Sequence, residues 1–186
     1  MRILVAGASG VLGRATLPHL KQHEVVGLTR TAEKRELLAE LGVEAVVCDV
    51  YDYPALLGVV ARARPQIVVN FLTDLSTGPE ANNRIRREGA SNLLKAAEKA
   101  HATRLVVESV AFALEGDAAR ALEELERSSA SFAGDSLLLR FGRVWGPHTF
   151  HRRPAPAPSI RVNRAGAEAA RLIADAPGGI YTLYAL

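Results

Sequence analysis

Cysteine, tryptophan and methionine occur once each in these 186 residues, and aromatics amount to five Phe, four Tyr and one Trp. The lone Cys48 excludes an internal disulfide. It ends the apolar run Ala45-Val46-Val47-Cys48 and reads as a buried structural thiol. The few aromatics do not interleave with a basic run, which argues against a surface that stacks single-stranded nucleic acid. Net charge is only +3, and the densest basic set is Arg84, Arg86 and Arg87, so a nucleic-acid partner is not expected. No stretch nears the roughly 20 apolar residues of a membrane span, and no leader pattern is present; a cytoplasmic protein is the expectation. His19, His23 and His101 have no partners at ligand spacing, so no metal site is expected.

What is present is an alternation of strand and helix patterns. Strands are predicted at residues 2–6, 25–29, 43–47, 67–71, 105–107, 136–141 and 180–183. Helices are predicted at 11–20, from a Thr31 cap to about 41, from an Asp52 cap with Pro54 in its first turn to Pro65, at roughly 80–100, at 118–129 and at 164–176. Pro18 marks a bend or end in the first helix. Pro154, Pro156 and Pro158 keep residues 151–159 out of helix and interior strand. The first five strands are apolar without clean alternation, as in a parallel sheet covered on both faces. The expected fold is a Rossmann-like three-layer α/β/α sandwich with a mainly parallel sheet, residues 1–186 forming a single nucleotide-binding domain.

Gly7, Gly10 and Gly13 lie between the first strand and the first helix, spaced G-x-x-G-x-x-G. Small residues there permit a tight turn, close approach of a pyrophosphate to the main chain, and close helix–strand packing. Free N–H groups at the helix start favour phosphate. No lysine followed by Ser or Thr stands in the turn, which argues against a nucleoside-triphosphate loop. The expected cofactor contacts are Gly7, Ser9, Gly10, Val11, Leu12 and Gly13 at the phosphates. Thr29 and Arg30 follow the second strand, near the adenosine ribose. Thr29 carries no charge to repel a 2′-phosphate and Arg30 can pair with one, so NADP is favoured and NAD is the alternative. Lys34 and Arg35 are weaker candidates. Asp49 and Val50 are placed for the adenine, although a plain loop aspartate is the competing reading. Asn70, Phe71 and Leu72 close the fourth strand at the edge where ligands bind.

The run Ile3-Leu4-Val5-Ala6-Gly7-Ala8-Ser9-Gly10-Val11-Leu12-Gly13 resembles the dinucleotide loop of the short-chain dehydrogenase/reductase superfamily. The nearest likeness is its extended and atypical branch of NAD-dependent epimerases and dehydratases. Cys48-Asp49, Gly89 with Asn92-Leu93-Leu94, the segment from Arg140 to Gly146-Pro147, and residues 160–183 are similar to later parts of the same pattern. The resemblance implies a catalytic serine beside a tyrosine and a lysine four residues apart, in which tyrosinate moves the proton. Ser109 fits the serine. After it no tyrosine occurs before Tyr181, and no lysine occurs after Lys99. The place of the pair holds Glu115 and Ala119, or Gly116 and Arg120, and Arg86 replaces an asparagine of the pattern. Glu108 and Glu115 flank Ser109 and could accept a proton. His148 and His151, and Tyr51 and Tyr53, read as surface and packing residues before catalytic ones. Residues 147–186 look like a shortened remnant of the substrate-binding region.

Three functions stay open at this point. The first is an atypical NADP-dependent reductase acting on a small activated acceptor. The second is a dinucleotide-binding redox sensor or regulator without catalysis. The third is an assembly protein that keeps the fold alone. The resemblance also implies a homodimer paired through the long helices, with Leu93 and Ala97 contributing.

Overall fold

Strand β1 (Arg2–Ala6) is buried from Ile3 through Ala6 because helices cover both of its faces. The computed structural model describes residues 1–185, and β1 is an interior strand of a seven-stranded sheet. Its neighbours are β2 (Glu24–Thr29) and β4 (Ile67–Asn70); β3 (Glu44–Val47) flanks β2. On the other side follow β5 (Arg104–Val110), β6 (Asp135–Phe141) and β9 (Gly179–Leu183). The order is β3-β2-β1-β4-β5-β6-β9, and every pairing in this sheet is parallel. The α/β/α sandwich with a parallel sheet is therefore as expected. The strand order reverses between β1 and β4, which opens a crevice at their carboxyl ends, where such sheets bind ligands.

Residues alternate between the two covered faces. Ile3, Val5, Val69, Leu137 and Leu139 pack on one side, with α1 (Val11–Thr16) and α7 (Val162–Asp175). Leu4, Ala6, Val68, Leu105 and Val107 pack on the other. There they meet α3 (Tyr53–Ala63), α5 (Ala90–Lys99) and α6 (Gly116–Ala130). Removing apolar surface on both sides contributes the main driving force, about 25 cal/mol per Å².

Local signals account for the helix ends. Asp52 accepts the Ala55 N–H at 3.1 Å and caps α3. Pro18 converts the end of the first helix into a 3-10 turn, Leu17–His19, because proline lacks the N–H that would continue the α ladder. Thr31 does not cap α2 (Glu33–Glu40), whose start has no side-chain cap. The long fourth helix is α4 (Pro79–Arg84) running through a π turn, Ile85–Gly89, into α5. The proline tract is followed by a short strand β8 (Ser159–Arg161), paired with β7 (Arg143–Trp145); neither strand was foreseen. Leu93 and Ala97 are fully buried inside the chain. That corrects their assignment to a dimer seam: they pack against the sheet and face no second copy.

Helices α1 and α7 approach closely because Gly166 faces the main chain of Ala15. A Cβ there would stand 2.1 Å from the Ala15 carbonyl oxygen. Gly166→Val should therefore push the two helices apart and cost about 1–3 kcal/mol, the usual range for overpacking. Urea unfolding of the variant against the native chain measures it.

Candidate dinucleotide site

The phosphate loop is shaped by main-chain contact. Gly7 has φ +81°, and a Cβ on it would lie 2.4 Å from the Phe71 carbonyl oxygen. A Cβ on Gly13 would lie 2.4 Å from the Gly7 carbonyl oxygen. The first glycine thus sets the loop against the end of β4, and the third sets helix α1 against the loop. Gly10 donates to the Gly7 carbonyl at 2.9 Å, and the first helical bond runs from the Arg14 N–H to Gly10. The N–H groups of Val11, Leu12 and Gly13 precede that bond and have no partner within the helix. No side chain fills the space over Gly10, whose added Cβ would meet only the Gly7 oxygen. This cradle of bare donors suits a pyrophosphate.

A cleft continues from the loop along the carboxyl edge. Gly7, Ser9, Gly10, Thr29, Arg30, Val50, Phe71 and Leu72 line it together with Lys34. Most of the residues expected at the cofactor thus come together. Val11, Leu12 and Gly13 lie behind the loop at the helix start, and Asp49 and Asn70 do not line the cleft either. Asp49 is exposed and accepts the Tyr51 N–H at 2.9 Å, while the buried Asn70 accepts the Leu72 N–H at 3.1 Å. Both side chains hold loop turns. The Ser9 and Thr29 hydroxyls are hydrogen-bonded at 3.3 Å, which ties the phosphate loop to the end of β2.

Arg30 does not stand free. Its Nη1 donates to Asp74 Oδ2 at 2.9 Å. The Thr77 hydroxyl donates to the other oxygen of Asp74 at 2.7 Å. The Thr77 bond, and after it Arg30, holds the Asp74 carboxyl below its ordinary range in spite of burial. Asp74 went unnoticed in the sequence because it lies in a polar loop 44 residues from Arg30.

Ser109 lies at the carboxyl end of β5, as expected, and is 1% exposed. Its register partner on β6 is Arg140. Both side chains reach Glu126 of α6: Ser109 donates to its Oε1, and Arg140 donates through Nε at 3.0 Å and through Nη2. Burial works to raise the Glu126 carboxyl, but the bonds from Arg140 and Ser109 leave it lowered, hence ionised. The serine proton is committed to a carboxylate. Glu126 shares one helix face with Leu122 and Ser129, so a charge on that inward stripe was the available signal. Glu115 is exposed at the start of α6, with no side-chain cap bond, and does not meet Ser109. Tyr51 has a guanidinium, that of Arg84, 4.0 Å from its ring centre, consistent with packing. His151 and the exposed His148 stay in the loop before β8. Cys48 is buried, and burial pushes its thiol up. No metal-holding group of His, Cys, Asp and Glu exists among the described residues, and no helix of them is long and apolar enough to cross a membrane.

Glu108, next to Ser109, points to the opposite face of β5. Burial pushes its carboxyl up to about 7, against the opposing charge of Arg86. A raised carboxyl keeps its proton in the folded chain. Its contribution is harmless below the unfolded value of 4.5 and becomes a penalty as pH rises toward about 7. Glu108→Gln should therefore gain stability over the native chain at pH 8 and little at pH 4.5. Urea midpoints at the two pH values test this.

Residues 7–134 match the model of the family described as NAD(P)H-binding. A 3-diazoavenalumate denitrifying reductase from a Streptomyces species is 38% identical over 184 residues, covering 82% of this chain. The chain spans 59% of that curated relative's length. Among solved structures, UDP-glucose 4-epimerase of Thermus thermophilus in complex with NAD superposes with a TM-score of 0.81 at 20% identity, over 99% of this chain and 78% of the other. The enzyme WbmH of Bordetella bronchiseptica in complex with NAD+ gives 0.80 at 16% identity, over 98% and 75%. The expectation of NADP is corrected here. Both structures of this fold hold NAD, and the guanidinium meant for a 2′-phosphate is already neutralised by Asp74. The match over residues 7–134, together with the parallel sheet and its glycine loop, shows that the chain belongs to the NAD(P)H-binding family.

Proposed function

We propose that this chain is an NAD(H)-dependent reductase of a small activated acceptor. The observation that carries the reading is the bare cradle of Gly7, Gly10 and Gly13 opening into a cleft at the carboxyl edge. In this reading the N–H groups of Val11, Leu12 and Gly13 hold the pyrophosphate, with Ser9 beside them. Val50, Phe71 and Leu72 supply apolar contact along the cleft. Asp49 and Asn70 keep the flanking loops in place through their bonds to Tyr51 and Leu72. Thr29 and the Arg30–Asp74 pair form the wall near the ribose. A pair of opposite charges there offers no net attraction to an added phosphate, which supports NAD. When bound, the reduced nicotinamide supplies a hydride; the chain's part is to orient, to exclude water and to manage the proton.

The missing Tyr–Lys pair shapes the substrate class. Epimerases and dehydratases must first remove a hydroxyl proton, and the ionised Glu126 beside Ser109 gives no tyrosinate to do so. An activated acceptor needs only a positioned hydride donor and a proton. The Streptomyces relative is named as a reductase of a diazo compound, and an acceptor that loses nitrogen on reduction belongs to this class.

Calorimetric titration should show NADH binding more tightly than NADPH. Asp74→Asn removes the carboxylate that neutralises Arg30 and should narrow the gap by about tenfold, or about 1.4 kcal/mol. NADH oxidation should follow with an aryl diazonium salt, a quinone or a free flavin as acceptor. Tight NADH binding without turnover on all three would replace the reductase by a nucleotide sensor. An absence of binding by either dinucleotide would remove the cofactor reading itself.

A further inference from the structure

Charge is spread unevenly along this chain. Residues 136–167 hold six arginines and no aspartate or glutamate. The remainder holds seventeen Lys and Arg against twenty Asp and Glu, a net charge of −3. Arg140 is held by Glu126. Arg143, Arg152, Arg153, Arg161 and Arg164 enter no ion pair among the described residues. Elsewhere Arg84, Arg87, Arg104 and Arg171 each meet a carboxylate. An excess of one sign on one stretch raises a local field that draws an anionic partner.

The fold gathers these residues. β7 and β8 pair in parallel, with Arg143 opposite Ser159 and Trp145 opposite Arg161. Residues two apart on a strand share a face with their register partners. Arg143, Trp145 and Arg161 therefore stand on one face of the ribbon, while Val144 and Ile160 take the other and pack into the core. The Arg161 guanidinium lies 5.7 Å from the centre of the Trp145 ring, and that of Arg143 lies 4.3 Å from the centre of the Phe112 ring. The loop between the two strands carries Arg152 and Arg153, both exposed. At its base the Gly146 N–H donates to the His151 carbonyl at 2.8 Å. The Thr149 hydroxyl lies 2.8 Å from the Gly146 carbonyl oxygen and 2.7 Å from that of His151. Phe150 stands between these anchors and is 92% exposed, the most exposed large apolar side chain among the described residues.

We propose that the β7–β8 ribbon and its loop dock on an anionic lipid surface, with the unpaired arginines at the headgroup phosphates and Phe150 entering the interface. Charge complementarity calls for an anion, and the apolar tip selects lipid among anions. Interfacial binding takes cations on a surface together with an apolar side chain that reaches below the headgroups. A surface for single-stranded nucleic acid needs a row of open aromatic faces. Trp145 and Phe112 already have a guanidinium against the ring, which leaves Phe150 alone.

The ribbon begins at Arg143, just after β6 ends at Phe141. The basic surface thus lies at the carboxyl edge of the sheet, the edge at which the dinucleotide cleft opens. Docking turns that edge toward the bilayer. The inference needs neither a bound dinucleotide nor turnover, so it stands or falls apart from the reductase reading. Attraction between exposed charges and headgroups is screened by salt, over about 10 Å at 0.1 M and about 3 Å at 1 M.

The test is sedimentation of the full chain with phosphatidylcholine vesicles, with and without phosphatidylglycerol. The native chain should sediment with the mixed anionic vesicles at about 0.1 M salt, be released at about 1 M, and ignore phosphatidylcholine alone. Arg152→Gln combined with Arg153→Gln should weaken partitioning about tenfold or more. Phe150→Ser should weaken it severalfold, and its exposed position leaves the fold intact. Lys95→Gln combined with Lys99→Gln removes two exposed charges from α5 and should leave partitioning unchanged. No sedimentation of the native chain with the anionic vesicles, or equal sedimentation with neutral ones, would overturn the proposal; neither measurement needs a variant. A loss in the Lys95/Lys99 variant as large as in the Arg152/Arg153 variant would overturn the location. Capture of the chain by oligothymidylate in preference to the vesicles would overturn the lipid assignment in favour of nucleic acid.

Discussion

The contact on which the site depends is main chain against main chain. Gly7 lies so close to the Phe71 carbonyl, and Gly13 so close to the Gly7 carbonyl, that no side chain fits between them. This places three N–H groups at the mouth of α1 facing outward, and it fixes them to the ends of β1 and β4. The parallel sheet supplies the rigidity. Ala6 pairs with Leu28 on one side and with Asn70 on the other, so the loop stands on three hydrogen-bonded strands. Donors held in this way need little reordering when an anion arrives, which is the condition under which weak individual bonds add up to useful binding.

The other end of the cleft is governed by the pleat of β5. Successive residues on a strand face opposite ways, and this strand carries Glu108 and Ser109 as its last polar neighbours. Ser109 turns toward α6, where it and Arg140 of β6 both donate to Glu126 in a closed arrangement. Glu108 turns the other way, toward the face that α1 and α7 cover. Satisfied networks of the kind at Ser109 rigidify the structure around them.

Most of the fold could be read from periodicity and punctuation. The apolar strands, the Asp52 cap with Pro54 and the arrest at Pro18 rest on local rules, and local rules survive into the folded chain. The glycine loop was legible for the same reason, because its residues are contiguous. What could not be read joins distant segments. The hold of Asp74 on Arg30 spans 44 residues, and without it Arg30 suggested a phosphate-binding fork and hence the wrong dinucleotide. Glu126 lies 17 residues from Ser109, whereas Glu115, nearer in the chain, stands exposed just before α6. Leu93 and Ala97 have the small apolar character of a helix seam, and only the packed sheet shows that the seam is internal. The π turn leaves no mark in the spacing of Ile85 and Gly89.

The replacement of the Tyr–Lys pair has a further consequence. In the arrangement that the sequence resembles, a lysine beside the tyrosine stabilises its anion and lowers its pKa. Here the group next to Ser109 is the ionised Glu126, which Arg140 engages through both Nε and Nη2. That pair carries no net charge, so it offers a phenol set beside it none of the stabilisation that the lysine supplies. Restoring a tyrosine alone on α6 would therefore not restore proton abstraction at that face. It would also place a large polar group against a network that is already complete. Chemistry that begins with loss of a hydroxyl proton is closed to this side of β5.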